Sequence, residues 1–194
     1  MDVKKIKSAA VFCGSNFGDT EKFREETKTL GNLLYQYDIK LVYGGTTKGL
    51  MGVIADAVLN SGGEVHGIIT NYLQSIDQAH PHLDQLEVCE SLSVRKRRMI
   101  ELADVFIILP GGIGTMEEFL EVWTMNQLAE IDKPIGLLNI EGYFDVFLEF
   151  INKMVASKFL PQSHKSLLIV NDDPLQLIKN IRNYEKQVVI NKWI

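Results

Sequence analysis

The chain is poor in cysteine and has no long apolar run, and each shortage argues against a class of protein. Its two cysteines, Cys13 and Cys89, lie far apart in apolar segments without a CxxC partner. This pattern argues against a disulfide framework or a zinc site and predicts two buried, reduced thiols. No apolar run approaches the roughly 20 residues of a membrane-spanning helix, and no signal-type segment follows the charged start. We therefore expect a cytoplasmic protein with no membrane partner.

Several catalytic and nucleotide-binding motifs are also missing. The chain contains no Gly-Lys pair and hence no P-loop, no GxSxG elbow, and no HExxH or HxxxH spacing. The His80-Pro81-His82 segment could chelate a metal, but a histidine pair without neighbouring acidic ligands is more typical of a polar loop. The formal net charge of −5 argues against a non-specific nucleic-acid binder. We expect no metal and no nucleic-acid partner.

What the chain does contain is a regular alternation of apolar segments and helical patterns. Predicted strands cover residues 9–13, 39–43, 64–70, 85–89, 105–109, 134–138 and 167–170. Predicted helices cover residues 20–37, 50–59, from Ser91 or Ser93 to the strand at 105, 117–130 (the longest), 143–157 and 174–183. Residues 71–84 show no periodicity and are predicted as a loop.

The strands are apolar throughout rather than at every second residue, which is typical of a parallel sheet covered on both faces. The expected fold is therefore α/β, a Rossmann-like three-layer arrangement around a mainly parallel sheet of about seven strands. At 194 residues, with no linker or internal repeat, the chain is expected to form a single domain spanning residues 1–194.

Three glycine-rich turns follow predicted strands: Gly14-Ser15-Asn16, residues 44–49 and residues 111–115. In a parallel sheet all three lie at the same edge, where ligands bind near the topological switch point. The third turn leads into a helix, whose first N–H groups lack intrahelical partners and suit an anion. Glu117 and Glu118 are predicted in that helix's first turn, where they would either compensate the helix dipole or take part in catalysis.

This third turn is not a dinucleotide fingerprint. Gly112-Ile113-Gly114 is followed by Glu117 where a third glycine would stand, and the turn follows a late strand. Instead, Pro110-Gly111-Gly112-Ile113-Gly114-Thr115-Met116-Glu117-Glu118 resembles the PGGxGTxxE motif of the Lonely Guy (LOG) family, the cytokinin-activating phosphoribohydrolases. The upstream Arg95-Lys96 with Met99 resembles the paired Arg-Lys of that family. Further landmarks in matching order are Phe12-Cys13-Gly14-Ser15, Leu41-Val42-Tyr43-Gly44-Gly45, Gly49-Leu50-Met51-Gly52, Lys133-Pro134-Ile135-Gly136-Leu137-Leu138-Asn139 and Gly142-Tyr143-Phe144-Asp145.

The resemblance implies an enzyme that hydrolyses the N-glycosidic bond of adenosine 5′-monophosphate, with or without an N6 substituent, to free base and ribose 5-phosphate. It implies no cofactor, and a homodimer with the site near the subunit interface. The alternative is a nucleotide-binding or sensor protein that uses the same pocket without catalysis. The lysine-decarboxylase label that such proteins often carry finds no support, since no lysine lies in a recognisable pyridoxal-phosphate motif.

The resemblance also assigns site residues. Glu118 is the expected catalytic carboxylate, because the cleavage builds positive charge on the ribose, and Arg95 is expected to contact substrate and to keep that carboxylate ionised. Glu117 is expected to hold ribose hydroxyls, although neighbouring helix positions leave the two glutamate roles interchangeable. The remaining expected substrate contacts are Gly111, Gly112, Gly114 and Thr115 around the phosphate, and Lys96, Gly14, Ser15, Gly44, Gly45, Thr124 and Asp77 elsewhere.

Some of these residues also have ordinary structural explanations. Arg97 and Arg98 are expected to form a solvated basic helix face, and Gly44 and Gly45 could be plain turn glycines. Trp123 and Met125 are expected in the core or at a subunit contact. The chain departs from the family pattern at residues 46–48, Thr-Thr-Lys, where a glycine- and serine-rich run is usual. We expect base preference to depend on these residues and on the 71–84 segment.

Overall fold

The computed structural model describes residues 6–76 and 78–185, and its centre is one parallel sheet. The strands are β1 (Ser8–Phe12), β2 (Lys40–Tyr43), β3 (Val65–Thr70), β4 (Gln85–Cys89), β5 (Val105–Ile108), β6 (Ile135–Leu138) and β7 (Leu168–Asn171). They lie in the order β4-β3-β2-β1-β5-β6-β7, and every neighbouring pair is parallel. The predicted α/β class and the seven-stranded parallel sheet are confirmed.

Helices cover both faces of this sheet. They are α1 (Glu21–Gln36), α2 (Gly49–Ser61), α3 (Asn71–Ser75), α4 (Leu92–Leu102), α5 (Ile113–Gln127), α6 (Asp145–Ala156), α7 (Gln162–Lys165) and α8 (Pro174–Arg182), with a 3-10 turn at Ile140–Gly142. Helices α1, α2 and α8 supply the core on one face, and α4, α5 and α6 supply it on the other. None of the helices in the described ranges is long and apolar enough to cross a bilayer.

The two faces explain why the central strands are almost continuously apolar. In β1, Ala9 and Val11 belong to one core, while Ala10 and Phe12 belong to the other. Successive side chains of a strand point to opposite faces, so a strand between two helical layers needs an apolar residue at each position. All five residues of β1 are buried.

The chain reverses its direction across the sheet next to β1. Strands β1 to β4 run outward to one edge, and the chain then returns to place β5 on the other side of β1. The carboxyl ends of β2, β1 and β5 are therefore adjacent at the switch point. These are the three strands that the glycine-rich turns follow.

Several predicted boundaries need correction. The longest described helix is α1, with sixteen residues, and not the motif helix α5, with fifteen. The 71–84 segment is not entirely loop, because α3 forms there with the Thr70 hydroxyl accepting from Leu73 N–H. Short α7 and the 3-10 turn were not predicted, since elements of three or four residues leave no periodic pattern. Of the two alternative caps for α4, Ser91 is the one used.

Candidate active site

The three glycine-rich turns form one hydrogen-bonded floor at the switch point. Gly14 N–H donates to the Pro110 carbonyl oxygen at 3.0 Å, and the Gly14 carbonyl accepts from Leu50 N–H at 3.0 Å. At Gly49, a Cβ would stand 2.3 Å from the Asn16 backbone nitrogen, and the φ of +53° is in the left-handed region. The predicted convergence of the three turns is confirmed.

The motif helix begins inside the motif, earlier than the sequence predicts. Gly112 is the N-cap of α5 and Ile113 its first residue, so Glu117 and Glu118 are its fifth and sixth residues. The prediction that both glutamates lie in the first turn is therefore wrong, and compensation of the helix dipole does not explain them. The sequence pattern misses this start because Gly114, the second residue of the helix, has a low intrinsic helix propensity.

The glycines of this turn fall into two kinds. A Cβ on Gly111 would stand 2.2 Å from the Thr115 Oγ1, so the fold itself requires glycine there. A Cβ on Gly112 or Gly114 would meet nothing within 4 Å, so packing within the chain does not explain either residue. Open space above the unpaired N–H groups of a helix N-terminus is what a bound phosphate needs.

A cavity of about 230 Å³ adjoins this turn, between Gly112, the Gly14-Ser15 backbone, Phe23 and Tyr143. A larger groove of about 510 Å³ lies at the opposite edge of the sheet, around Tyr35 and Ile39 beside the amino end of β2. We place the site at the smaller cavity, because ligands of open parallel sheets bind at the carboxyl ends of the strands.

Arg95 and Glu118 form a buried ion pair beside this floor. The Arg95 Nη1 lies 3.0 Å from Glu118 Oε1, and the two side chains are only 10% and 14% exposed. The expected pairing of Arg95 with a motif glutamate is present. Burial raises the pKa of the Glu118 carboxyl above its ordinary value, and the Arg95 guanidinium partly offsets that rise. A desolvated carboxylate of raised pKa is suited to proton transfer.

Two backbone features hold Arg95 in place. Its Nε donates a 2.8 Å hydrogen bond to the Ile68 carbonyl oxygen at β3. A Cβ on Gly44 would stand 2.2 Å from Arg95 Nη2, so this glycine leaves room for the guanidinium. Gly45 has a φ of +75° and accepts from His80 N–H through its carbonyl. Both glycines thus have structural reasons within the site.

A second ion pair lies on the outer side of the same two helices. Lys96 Nζ contacts Glu117 Oε1 and lies 2.9 Å from Glu121 Oε2. Burial acts to lower the pKa of Lys96, but its hydrogen bonds with the two glutamates outweigh this, and the pKa is raised. Glu117 is 54% exposed. Glu121 was not predicted, although its position four residues after Glu117 was a usable signal.

The remaining residues predicted to contact substrate lie at different distances from the motif turn. Thr115 is buried behind Gly111, whereas Ser15 is exposed at the cavity. Thr124 is exposed on α5, seven residues from Glu117 and so on the outer face of the helix rather than the face of Glu118. Asp77 lies outside the described residues.

Neighbouring residues that were given structural roles behave largely as expected. Cys13 and Cys89 are buried free thiols, and Trp123 is buried and stacked on Phe119. Arg98 differs from a purely solvated residue, because its Nε lies 2.7 Å from Glu87 Oε1. His80 is also more than a polar loop residue, since it is buried with its Nε2 3.1 Å from Asp56 Oδ1.

Comparison with known proteins gives one consistent set of relatives. Residues 51–181 match a family model described as possible lysine decarboxylase. The chain is 38% identical over 180 residues to the probable cytokinin riboside 5′-monophosphate phosphoribohydrolase LOGL9 of Oryza sativa subsp. japonica, covering 93% of this chain and 79% of that protein. It is also 38% identical over 180 residues to the cytokinin riboside 5′-monophosphate phosphoribohydrolase LOG1 of Arabidopsis thaliana, covering 93% and 84%.

Solved structures support the same fold. A molybdenum cofactor binding protein from Rippkaea orientalis aligns with a TM-score of 0.69 at 19% identity, over 93% of this chain and 98% of that one. A Moco carrier protein from Chlamydomonas reinhardtii aligns with a TM-score of 0.69 at 18% identity, over 91% and 95%. At these identities the likeness concerns the fold alone.

The description of the family model does not fit the lysine of this site. A lysine that forms a Schiff base with pyridoxal phosphate needs a lowered pKa and an accessible amine. Lys96 instead has a raised pKa and contacts two carboxylates. Lys96 in this arrangement is therefore unsuited to forming a Schiff base.

Proposed function

The chain belongs to the Lonely Guy (LOG) family of cytokinin riboside 5′-monophosphate phosphoribohydrolases, and we propose that it hydrolyses the N-glycosidic bond of a nucleoside 5′-monophosphate. The proposed substrate is adenosine 5′-monophosphate or an N6-substituted form of it. The products are the free base and ribose 5-phosphate. The observation that carries this proposal is the buried Arg95–Glu118 pair beside a glycine turn with open space at Gly112 and Gly114.

The geometry suggests how the bond is broken. The phosphate binds the N–H groups at the start of α5, which directs the ribose towards Glu118. As the bond between C1′ and the base nitrogen breaks, its electron pair leaves with the base and positive charge develops on the ribose. The Glu118 carboxylate stabilises that charge and accepts a proton from the attacking water, whose oxygen bonds to C1′. The proton lost by water ends on the base nitrogen, so the reaction is balanced without a cofactor.

Arg95 has two functions in this scheme. Its charge lowers the pKa of Glu118 against the effect of burial, and so preserves the ionised form that the reaction needs. Its hydrogen bond to Ile68 fixes the guanidinium, and with it the carboxylate. Lys96 and Glu117, in the second ion pair, bind the ribose hydroxyls and other polar groups of the substrate.

The test is direct detection of the free base. Purified protein is incubated with a panel of nucleoside 5′-monophosphates, including AMP and an N6-isopentenyl AMP, and the products are separated by chromatography. We expect adenine or its N6-substituted form to accumulate, and adenosine without the phosphate to react far more slowly. Tight binding of AMP with no base released from any nucleotide, even at high protein concentration, would instead identify a nucleotide sensor.

We also propose a homodimer with its interface near the site. Two exposed apolar side chains, Ile113 and Leu120, lie on one face of α5 on either side of Glu117, and the exposed Leu128 is the C-cap of the helix. Exposed apolar side chains gathered on one face are typical of a subunit contact. A single-chain mass of 21.9 kDa in sedimentation at micromolar concentration would contradict it.

The number of domains and the cellular location of the protein are also proposals. We propose one catalytic domain, supported by the single sheet to which all seven strands belong. We propose a cytoplasmic location, supported by two thiols that are buried and unbonded to each other.

A further inference from the structure

Tyr143 lies on the wall of the cavity beside the motif turn and touches that turn directly. Its hydroxyl donates a 2.6 Å hydrogen bond to the Gly111 carbonyl oxygen, across 32 positions of sequence. Tyr143 also lines the cavity together with Gly111 and Gly112. The residue therefore has access both to the turn and to the space where a ligand would lie.

The hydrogen bond determines which way a peptide group faces. In a planar trans peptide the C=O of one residue and the N–H of the next point in opposite directions. With its carbonyl bound by Tyr143, the Gly111–Gly112 peptide directs the Gly112 N–H away from the tyrosine. Neither glycine carries a side chain that would otherwise restrict rotation of this peptide. The Tyr143 hydroxyl restrains it through the hydrogen bond to the Gly111 carbonyl oxygen.

We propose that Tyr143 is a positioning residue for phosphate binding: its hydroxyl holds the Gly111–Gly112 peptide so that the Gly112 N–H faces the substrate phosphate. This inference rests on the proposed function, because the phosphate is that of the nucleotide. Gly112 is the N-cap of α5, so its N–H belongs to the same donor set as the first free N–H groups of the helix.

The backbone on either side of Tyr143 is held by side-chain hydrogen bonds, which fixes the position of the tyrosine hydroxyl. The Asn139 side chain accepts from Phe144 N–H at 2.7 Å and donates to Asp145 Oδ1 at 2.8 Å. Between them, Glu141 and Gly142 have φ values of +51° and +71°. A non-glycine residue in the left-handed region is uncommon and is held there by its surroundings.

The Tyr143 ring is also fixed on the side facing α1. It packs edge-on against Phe23, with ring centroids 5.9 Å apart and an interplanar angle of 86°. Replacing Tyr143 with Phe removes the hydroxyl alone and keeps this packing. A matched control is Tyr35→Phe, because Tyr35 is 47% exposed against 46% for Tyr143 and lines the groove at the opposite edge of the sheet.

The experiment measures binding and turnover separately. Calorimetry with ribose 5-phosphate should give a Kd about fivefold higher for Tyr143→Phe than for the unsubstituted protein, since a lost hydrogen bond costs on the order of 1 kcal/mol. With AMP, KM should rise by a similar factor while kcat stays within about twofold. Slow turnover of adenosine, which has no phosphate, should be unchanged, and Tyr35→Phe should match the unsubstituted protein throughout.

Other outcomes overturn the inference. An unchanged Kd for ribose 5-phosphate in Tyr143→Phe would show that the hydroxyl does not prepare the phosphate site, and so would an unsubstituted protein that binds no ribose 5-phosphate. A fall in kcat for AMP and adenosine alike would indicate a general structural role. If the unsubstituted protein binds ribose 5-phosphate but releases no base from AMP, the proposed hydrolysis fails while the binding comparison still decides the role of Tyr143.

Discussion

Two ion pairs connect α4 and α5 through neighbouring residues, and they differ in their surroundings. Arg95–Glu118 lies against the end of the sheet, with its side chains 10% and 14% exposed. In the Lys96–Glu117 pair the lysine side chain is 13% exposed, but the Glu117 side chain is 54% exposed. Because successive helix residues differ by about 100° in direction, the single step from Glu118 to Glu117 moves the carboxylate from a buried face to a solvated one.

The different burial of Glu118 and Glu117 supports different chemical roles for the two carboxylates. The buried carboxyl has a raised pKa and one fixed cationic partner, which suits it to stabilise a developing charge and accept a proton. No such shift is needed for hydrogen bonding to ribose hydroxyls, which an exposed carboxylate can do. We therefore propose catalysis for Glu118 and substrate binding for Glu117, two roles that the sequence motif leaves interchangeable.

The largest expected effect comes from Glu118→Gln. This change keeps the shape of the side chain but removes the negative charge, so turnover of AMP should fall on the order of 10²–10⁴-fold. Nucleotide binding, measured by calorimetry, should persist. The control is Glu117→Gln, which should mainly raise KM; equal loss of kcat in the two variants would show that the buried and exposed glutamates are not functionally distinct.

The next effect is that of Arg95→Gln, which leaves the buried carboxyl without its cation. Removing one partner of a buried pair should destabilise the fold by on the order of 3 kcal/mol, measured by urea unfolding. Because Arg95 lowers the pKa of Glu118, its loss should move the acidic limb of the kcat/KM profile to higher pH. An acidic limb that stays in place would mean that another group controls it.

A double variant separates the two consequences of losing Arg95. Arg95→Met combined with Glu118→Leu removes both charges, so much of the lost stability should return. Activity should not return, because the carboxylate is gone. Recovery of activity in this variant would place catalysis elsewhere.

The smallest expected effect is that of Lys96→Met on stability. Its two partners, Glu117 and Glu121, are 54% and 39% exposed, so the free energy of unfolding should change by less than about 1 kcal/mol. KM for AMP should rise while kcat is largely kept. A loss of stability as large as that of Arg95→Gln would show that the outer pair is as important to the fold as the buried one.

Much of this architecture could be predicted from the sequence because it depends on local patterns. Continuously apolar strands indicate a sheet covered on both faces, and glycines at three strand ends predict one common site. The site's details depend on contacts that no local pattern records. Arg95 donates a hydrogen bond to the backbone carbonyl of Ile68, and the Gly111 carbonyl accepts one from the Tyr143 hydroxyl, 32 positions away in sequence.

The start of α5 shows where the reasoning from sequence failed and why. Glycines at 112 and 114 have low helix propensity, so the pattern predicts a helix from Glu117 rather than from Ile113. In the structure the helix begins four residues earlier, so Glu118 is its sixth residue, and its Oε1 lies 3.0 Å from Arg95 Nη1. Only the three-dimensional structure could separate Glu118 from Glu117.

The two hydrogen bonds of Gly14 also constrain how such a site can diversify. They join the turns after β1, β2 and β5 through Pro110 and Leu50, so an insertion or deletion in one turn would disturb all three. Thr47 and Lys48, by contrast, have exposed side chains at the rim of this floor. We expect point substitutions at these two positions to leave the floor unaltered, so a lineage with this architecture could change its surroundings there without rebuilding it.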